Sequence, residues 1–161
     1  MAAVRARRPT AVLYATAVAV FTVDRLSKIW AESALAGESP IQLIPGVLHL
    51  RYATNTGGAF GVWDSAPLVF AGATIAVACL IVWASLRIER SPTAIALGLV
   101  LGGSLGNLTD RIVRGPGLSG SVVDFIDPRI WPVFNLGDSA IVVGAILLAL
   151  VGFRKEKVEG G

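Results

Sequence analysis

Long apolar runs separated by shorter polar segments dominate the pattern of this chain. Four such runs lie at approximately 10–30, 67–86, 93–111 and 136–153. A helix that crosses a bilayer needs about 20 mostly apolar residues, because each residue adds about 1.5 Å along its axis. The pattern therefore predicts an all-α membrane protein with four transmembrane helices, folded as a single domain over residues 1–161.

The composition agrees with this prediction. Hydrophobic residues make up 54% of the 161 residues, and the mean hydropathy is +0.70, above what an ordinary soluble domain carries. The net charge of +3 does not indicate a nucleic-acid partner, because the basic residues form short clusters beside the apolar runs and no continuous patch. Cys79 is the single cysteine and His49 the single histidine, too few ligands for the common zinc sites, so we expect no metal and no cofactor.

The first apolar run has a second interpretation, as a cleaved signal peptide. Three arginines precede it, and residues 34–36 resemble a small-residue cleavage site. A polar block at 24–28 separates the run from that site, however, and three further apolar runs follow. We therefore favour a transmembrane helix.

Clusters of Lys and Arg predict how the helices are oriented. Short cytoplasmic segments carry an excess of these residues, and here they cluster at 5–8, 87–90 and 154–157. Both termini should then be cytoplasmic, and the connections 31–66 and 112–135 should lie on the outer face. Tryptophans favour the membrane interface, and those near the outer boundary are Trp30, Trp63 and Trp131.

The first outer connection predicts a short β-hairpin or small sheet between spans 1 and 2. Its segments 41–46 and 47–52 are rich in apolar residues, and the second partly alternates apolar and polar positions. A glycine-rich turn follows at 56–61. Such a turn lets the backbone approach a ligand closely or simply reverses the chain, and both interpretations stay open.

Asp24, Asp110, Asp124 and Asp138 all map to the outer ends of the spans or to the outer connections. A charge is costly inside a bilayer, so an acid near a span faces protein or water and is a candidate functional residue. Structural ion pairing is the alternative explanation, and it applies unequally to the four.

Asp24 and Asp110 have neighbours that can hold them as ions. Asp24 precedes Lys28 by one helical turn, the favourable order of acid before base, which predicts a structural ion pair. Asp110 follows Asn107 by three residues and directly precedes Arg111. We therefore expect Asp110 to orient other groups near the site.

Asp124 and Asp138 have no basic residue within one helical turn in the sequence, and Asp127 and Arg129 can pair with each other. Asp138 begins the fourth run, where the positive end of a helix dipole stabilises a carboxylate charge. Asp124 lies among apolar residues, which favours the protonated acid. Acids in such different surroundings suit the roles of general acid and general base.

Glycines at four-residue spacing mark one face of the third run. Gly98, Gly102 and Gly106 lie on this face, and Gly103 is beside them. Small residues at this spacing let another membrane helix come close, so we expect the face to pack against a neighbouring span.

Five blocks of the sequence resemble, in order, the signature sequences of lipoprotein signal peptidases, the signal peptidase II family. The blocks are DRLSK at 24–28, NTGGAFG at 55–61, GGSLGNLTDR at 102–111, VVDF at 122–125 and FNLGDSA at 134–140. They extend over nearly the whole chain. Gly58, Ser104 and Gly137 stand where alanine is expected in such blocks, and each is an exchange between small residues.

The resemblance implies a specific chemistry and site. It implies a membrane aspartyl endopeptidase that cuts diacylglyceryl-modified prolipoproteins just before the lipidated cysteine, at the outer face of a bacterial cell membrane. The implied partners also include membrane lipids and the cyclic peptide antibiotic globomycin, as an inhibitor. Asp124 and Asp138 would form the dyad, in which one acid activates water while the other donates a proton to the scissile carbonyl. The implied supporting residues are Asn55, Asn107, Asp110, Arg111 and Asn135.

Three rival functions fit the sequence less well. A Ser-Lys protease would use Ser27 and Lys28, but adjacent side chains on a helix diverge by about 100°. A proton-coupled transporter would need acids along a path through the bilayer, whereas these acids lie on one face. A non-enzymatic assembly protein would use the aspartates structurally, and folded dyad variants that do not cleave would distinguish this function from an enzyme.

Overall fold

The fold is a set of helices with a small sheet at one end. The computed structural model of the chain describes residues 2–56 and 67–159, and the side chains of 8–56 and 68–152. Within these residues the elements are α1 Ala2–Leu35, β1 Ile41–Ile44, β2 Leu48–Asn55, α2 Pro67–Ser85, α3 Ser91–Val113, β3 Val122–Asp127 and α4 Leu136–Glu159. The predicted mostly helical fold is confirmed, and each predicted run coincides with one helix.

The helices differ in their suitability for crossing a bilayer. Among the described residues, three segments are long and apolar enough, namely Arg8–Leu35, Leu68–Ser85 and Ser91–Val113. The apolar part of α4, Leu136–Gly152, is shorter than these. Length and composition alone therefore support three of the four predicted spans.

Helix α3 packs against both α1 and α4, and its glycines make this possible. A Cβ atom at Gly98 would lie 2.6 Å from the carbonyl oxygen of Leu13, and one at Gly102 would lie 2.5 Å from that of Ala17. A Cβ atom at Gly103 would collide with the backbone of Gly137 on α4. The predicted packing role of the glycine face is therefore confirmed, with α1 as the partner.

The sheet is antiparallel, in the order β1-β2-β3. The predicted hairpin is present as β1 and β2, but the prediction that the sheet belongs to the first outer connection is incomplete. Strand β3 comes from the second connection and pairs with β2, so that Ala53 faces Asp124 and Asn55 faces Val122. A two-stranded hairpin is at best marginally stable alone, and a third strand supplies the apolar face that it lacks.

The third strand joins the sheet to the helices. Val123 and Phe125 are buried against Ala31 and Leu35 at the end of α1. Because successive side chains of a strand point to opposite faces, Asp124 between them projects to the other side. Burial of the apolar face of β3 thus fixes the direction of the Asp124 side chain.

The chain then folds back so that α4 begins beside β3. The backbone N–H of Phe134 donates to the carbonyl of Ile126 at 3.0 Å, and the N–H of Ile126 donates to the carbonyl of Phe134 at 2.9 Å. This bridge brings Asn135, the residue before α4, next to the strand that carries Asp124.

Two of the predicted interfacial tryptophans are described, and both are partly exposed at this end of the molecule: Trp30 by 44% and Trp131 by 59%. Trp63 and most of the glycine-rich turn, at 57–61, lie outside the described residues.

Candidate active site

Three of the four predicted aspartates are buried where the helices meet the sheet. Asp24 on α1 and Asp110 near the end of α3 are 0% exposed, and Asp124 on β3 is 3% exposed. Asp138, in the first turn of α4, is partly buried. The structure brings the four together in one hydrogen-bonded network with the predicted asparagines.

Asn135 and Asp138 form a capping box at the start of α4. The Oδ1 atom of Asn135 accepts a hydrogen bond from the backbone N–H of Asp138 at 2.8 Å, and the N–H of Asn135 donates to Oδ2 of Asp138 at 3.3 Å. In this arrangement each side chain satisfies a backbone donor that the helix itself leaves free. The Asp138 carboxylate is thereby held at the positive end of the helix.

The same asparagine also holds the second acid. The side-chain amide of Asn135 donates from Nδ2 to Oδ1 of Asp124 at 2.7 Å, and Asn135 is 0% exposed. One buried carboxamide therefore links Asp124 to Asp138.

Asn107 supports this link from α3. Its Nδ2 donates to Oδ1 of Asp138 at 2.8 Å, while its Oδ1 accepts from Lys28 at 2.7 Å and from Asn135 at 3.2 Å. The groups near Oδ1 of Asn107 are donors, and the group near its Nδ2 is an acceptor. Only this orientation of the Asn107 amide therefore satisfies all three partners.

Asn55 and Arg111 complete the predicted site around the acids. Asn55, at the end of β2, hydrogen-bonds Asp124. Arg111 is buried and donates to the carbonyls of Thr56 at 3.2 Å and Gly120 at 3.3 Å. It also interacts electrostatically with both Asp124 and Asp138. All the predicted supporting residues thus lie in or beside the network.

Burial raises the pKa of Asp124 to about 7, and the nearby Asp138 carboxylate adds to this shift. The hydrogen bonds from Asn135 and Asn55 act in the opposite direction. Desolvation disfavours the charged form of an acid, and a second negative charge close by disfavours it further. Asp124 is therefore suited to hold a proton at neutral pH.

A cavity of about 320 Å³ opens beside the two acids. Its lining combines the polar residues of the site with apolar ones that the sequence did not single out, from α2 and from the segment before α4. The lining residues are Asn55, Phe70, Thr74, Asn107, Arg111, Val122, Asp124, Trp131, Pro132, Val133, Phe134, Asp138 and Ile141. Pro128 and Pro132, on either side of Trp131, are the signal in the sequence for a structured segment here. The sequence predicts Trp131 only as an interfacial residue.

A larger cavity, of about 720 Å³, lies between α1, α2 and α3. Its described lining is almost entirely apolar and contains no carboxylate or carboxamide group. The acids and amides that can carry out chemistry line the smaller cavity, so we assign the candidate active site there.

Asp24 and Asp110 lie behind the site in a cluster of ion pairs. Lys28 Nζ lies 2.8 Å from Oδ2 of Asp24, as the helical spacing predicted, and 3.2 Å from Oδ2 of Asp110. Arg25 also pairs with Asp110, and Nε of Arg114 lies 3.8 Å from it. The sequence predicted that neighbours of Asp110 such as Arg111 hold its charge. It did not predict the cations Lys28 and Arg25, which come from α1.

Asp127 lies outside this network, at the far end of β3. The predicted pairing with Arg129 is present as a backbone hydrogen bond of 3.0 Å and a side-chain ion pair of 3.8 Å. Arg51 of β2 is the closer cation, with its Nε 2.7 Å from Oδ2 of Asp127. The sequence could not indicate this pair, because it depends on the register of β2 against β3.

The geometry of Ser27 argues against a Ser-Lys protease. Its hydroxyl donates to the carbonyl oxygen of Asp24 at 2.8 Å, one turn back on its own helix. The Lys28 ammonium meanwhile contacts Asp24, Asp110 and Asn107. Ser27 therefore has no arrangement with Lys28 that would activate it as a nucleophile.

Comparison with known proteins places the chain in a protein family. The family described as "Signal peptidase (SPase) II" matches residues 16–154. A lipoprotein signal peptidase of Streptomyces coelicolor is 44% identical over 157 residues, which cover 97% of this chain and 77% of the relative. One of Halothermothrix orenii is 37% identical over 147 residues, covering 91% and 98% respectively.

Solved structures share the fold. One described as "Bacterial membrane enzyme structure by the in meso method at 2.3 A resolution" has a TM-score of 0.76 at 26% identity and covers 89% of this chain and 88% of its own. A second, described in the same words at 1.9 A resolution, has a TM-score of 0.73 at 28% identity and covers 86% and 90%.

Membrane-length helices with buried aspartates beside an open cavity define an integral membrane enzyme. The match over most of its length shows that the chain belongs to the signal peptidase II family, which is a family of proteases.

Proposed function

We propose that this protein is an aspartyl endopeptidase that removes signal peptides from diacylglyceryl-modified prolipoproteins by cutting just before the lipidated cysteine. The observation that carries the mechanism is the link between Asp124 and Asp138 through the buried amide of Asn135. The relatives named lipoprotein signal peptidases support the choice of substrate.

In the proposed mechanism the two acids share one proton, and Asp124 holds it in the resting enzyme. The support for this assignment is the burial of Asp124 and its pKa of about 7. Asp138 takes a proton from water as the water oxygen attacks the scissile carbonyl carbon, and Asp124 donates its proton to the carbonyl oxygen. The proton gained by Asp138 then passes to the leaving nitrogen as the carbon–nitrogen bond breaks. One hydroxyl proton of the tetrahedral intermediate returns to Asp124 as the carbonyl re-forms, which restores the resting dyad, and no covalent intermediate with the enzyme forms.

The remaining predicted residues would position the peptide and stabilise developing charge. Asn55 lines the cavity from the sheet, and Asn107 and Arg111 line it from α3. Their N–H groups can donate to the substrate backbone and to the oxyanion that develops on the carbonyl oxygen. Asp110 serves from behind the site, through its contacts with α1 and β3.

We propose that all four helices span a bacterial cell membrane, with both termini cytoplasmic and the site at the outer face. The arginines at 87 and 90 lie in the connection between α2 and α3, at the end of the molecule away from the acids. The excess of basic residues in short cytoplasmic segments supports this orientation. It places the dyad where the acyl chains of a lipoprotein stay in the membrane while the signal helix crosses it.

Cysteine labelling in intact cells tests the orientation. Cysteines that replace Ser39 or Ser119 should react with an impermeant thiol reagent added outside, whereas a cysteine that replaces Ser91 should not, in a background that carries Cys79→Ser. Labelling at position 91 without labelling at positions 39 and 119 would show that the orientation is the opposite of the proposed one.

Cleavage of a defined substrate tests the function. The purified protein should convert a diacylated prolipoprotein into a mature product that begins with the lipidated cysteine, identified by mass, and globomycin should inhibit the reaction. The same prolipoprotein without its diacylglyceryl group is the matched control and should be cut poorly. A product cut elsewhere, or no cleavage of the diacylated form, would reject the proposed substrate.

A further inference from the structure

Lys28 holds a buried ammonium group at the centre of the molecule's charged network. It is 1% exposed, although it lies on a helix that is long and apolar enough to cross a membrane. Its Nζ lies 2.8 Å from Asp24 and 3.2 Å from Asp110 as ion pairs, and it donates a hydrogen bond of 2.7 Å to Asn107. The contact with Asp24 is a salt bridge within α1, whereas the other two contacts reach α3.

Asp24 connects this ammonium to the residue before one catalytic aspartate. Its Oδ1 accepts a hydrogen bond of 2.7 Å from the backbone N–H of Gly137, which directly precedes Asp138. This contact joins α1 to the first turn of α4. The carboxylate that pairs with Lys28 therefore also holds the backbone that carries Asp138.

Asp110 makes the matching connection to the other catalytic aspartate. Its Oδ2, the oxygen nearest Lys28, accepts a hydrogen bond of 3.1 Å from the backbone N–H of Val123, which directly precedes Asp124. This hydrogen bond fixes the backbone of β3 one residue before Asp124, and so fixes the position from which the Asp124 side chain reaches the site.

The third contact of Lys28 reaches the dyad through side chains. The ammonium is a donor only, so it requires an oxygen from Asn107, and the amide nitrogen of Asn107 then faces Asp138 at 2.8 Å. A reversed amide would place a nitrogen against the ammonium and an oxygen against the carboxylate, and both contacts would be repulsive.

We propose that Lys28 is a positioning residue for the cleavage reaction, because its ammonium joins the two carboxylates that hold the backbone beside each dyad aspartate and orients the amide that binds Asp138. The proposal rests on the proposed function, in which Asp124 and Asp138 act as a pair. The described contacts of Lys28 do not include Asp124 or Asp138. Besides the electrostatic effect of its charge on Asp124, Lys28 acts by holding the segments that set the separation of the two aspartates.

The test must separate positioning from simple neutralisation of Asp24. Lys28→Met alone would leave a buried carboxylate without its cation, so the informative protein is the pair Asp24→Asn with Lys28→Met. The amide that replaces the Asp24 carboxylate still offers an oxygen to the N–H of Gly137, and Asp110 keeps Arg25. The first reference is Asp24→Asn alone, in which Lys28 remains but faces the nitrogen of the new amide. The second reference is the wild type, and the pair variant should have a lower kcat than either.

Compared with Asp24→Asn, the pair variant should have a kcat lower by about 10²-fold, because misplacement of reacting groups by about 1 Å costs that much. KM should change little, and both limbs of the pH profile of kcat should move, because the limbs report the coupling between two acids at a fixed distance. Equal kcat and equal pH limbs in the two proteins would overturn the proposal, whatever their thermal midpoints.

Arg25→Met is the matched control. Arg25 is also a cation of α1 that pairs with Asp110, but its described contacts do not include Asn107 or Asp24. This variant should lower the thermal midpoint while leaving the pH limbs in place. If its limbs move as far as those of the pair variant, loss of any cation from the cluster explains the result, and the proposal fails.

A second pair variant covers the case in which methionine at position 28 prevents folding. In Asp24→Asn with Lys28→Gln, the glutamine amide can still donate to Asn107 without carrying a charge. Its kcat should lie between those of Asp24→Asn and the methionine pair, or below Asp24→Asn if the methionine pair cannot be measured. A kcat equal to that of Asp24→Asn would count against Lys28.

Failure of this proposal is distinguishable from failure of the proposed function. A wild-type protein that does not cleave before the lipidated cysteine rejects both. A wild-type protein that does so, beside a pair variant with unchanged kcat and pH limbs, rejects the positioning role of Lys28 alone.

Discussion

The two pairs of aspartates at this end of the molecule are held by different kinds of partner. Asp24 and Asp110 contact the side-chain cations of Lys28 and Arg25, whereas the described side-chain hydrogen bonds to Asp124 and Asp138 come from carboxamides. A cation fixes both the position and the charge of an acid, because it strongly favours the ionised form. A neutral amide fixes the position while favouring the ionised form much less.

This difference explains how one small cluster can be both rigid and reactive. The inner pair, Asp24 and Asp110, is ion-paired and anchors backbone segments. In the outer pair, Asp124 and Asp138, burial raises the pKa of Asp124 to about 7. Arg111 and Lys28 also act on the outer pair electrostatically, while the described side-chain hydrogen bonds to it come from neutral amides. Substitutions in the two pairs should therefore differ in their effects on stability and on turnover.

Loss of charge in the inner pair should have the largest effect on stability. Asp110→Asn leaves Lys28 and Arg25 with one acid fewer, and breaking a buried ion pair costs about 3–5 kcal/mol. Because Arg25 is partly exposed, we expect the lower end of that range. A thermal midpoint within error of the wild type would contradict the structural role of Asp110.

Loss of the amide link should reduce turnover more than stability. Asn135→Ser keeps an oxygen that can cap α4, but it removes the Nδ2 donor to Asp124. We expect kcat to fall by about 10²-fold, because the dyad loses its fixed geometry.

Asn135→Ala is the control for the cap itself. It removes both functions of the side chain and should cost about 1 kcal/mol of stability more than the serine variant. Full turnover by a folded Asn135→Ser protein would show that the link between the acids is not needed.

Removal of the buried acid in the outer pair should stabilise the protein at high pH. Asp124 has a pKa of about 7 in the folded protein and an ordinary value of 3.8 when unfolded. Between these values the folded state holds a proton that the unfolded state has released, so the stability of the wild type falls as pH rises through this window. Asp124→Asn has no acid at this position, so its stability should not fall with pH for this reason.

Thermal midpoints across that window check the prediction. Wild type and Asp124→Asn should unfold at similar temperatures near the lower value, and the variant should unfold at the higher temperature above about pH 7. A difference that stays constant with pH would mean that Asp124 is not protonated in the folded state.

An exposed ion pair should have the smallest effect. Glu32 pairs with Arg114 at the outer end of α1, and the Glu32 side chain is 47% exposed. Exposed pairs contribute about 0–1 kcal/mol, so Glu32→Gln should barely change the thermal midpoint. A loss as large as that of Asp110→Asn would show that burial does not distinguish the two clusters.

The helices and the hairpin were predictable because their signals are local. Apolar runs of membrane length predicted the helices, and the i,i+4 spacing of Asp24 and Lys28 predicted their ion pair. The glycine spacing on α3 likewise predicted that this face packs against another helix, which in the structure is α1. Each of these signals depends on residues within a few turns of one element.

The third strand and the contacts within the network of aspartates were not predictable, because they depend on residues that are far apart in the sequence. Arg25 and Asp110 are 85 residues apart, and Asp24 and Gly137 are 113 apart. The resemblance to a family implied the residues of the candidate site, but not that Asn135 caps α4 and binds Asp124 at the same time. That dual role depends on the fold-back of Phe134 onto β3, which no local pattern encodes.

Turnover of a diacylated prolipoprotein by purified Asp124→Asn and Asp138→Asn tests the central claim most directly. Each amide keeps nearly the shape of the acid but can neither accept a proton from water nor share one, so kcat should fall by at least about 10³-fold. The double variant should be no worse than either single one, because the acids act as a unit. Ser27→Ala, measured in parallel, should cleave normally, and all variants should keep a wild-type fold by thermal unfolding. Substantial cleavage by either folded dyad variant, or loss of cleavage in Ser27→Ala, would contradict the account.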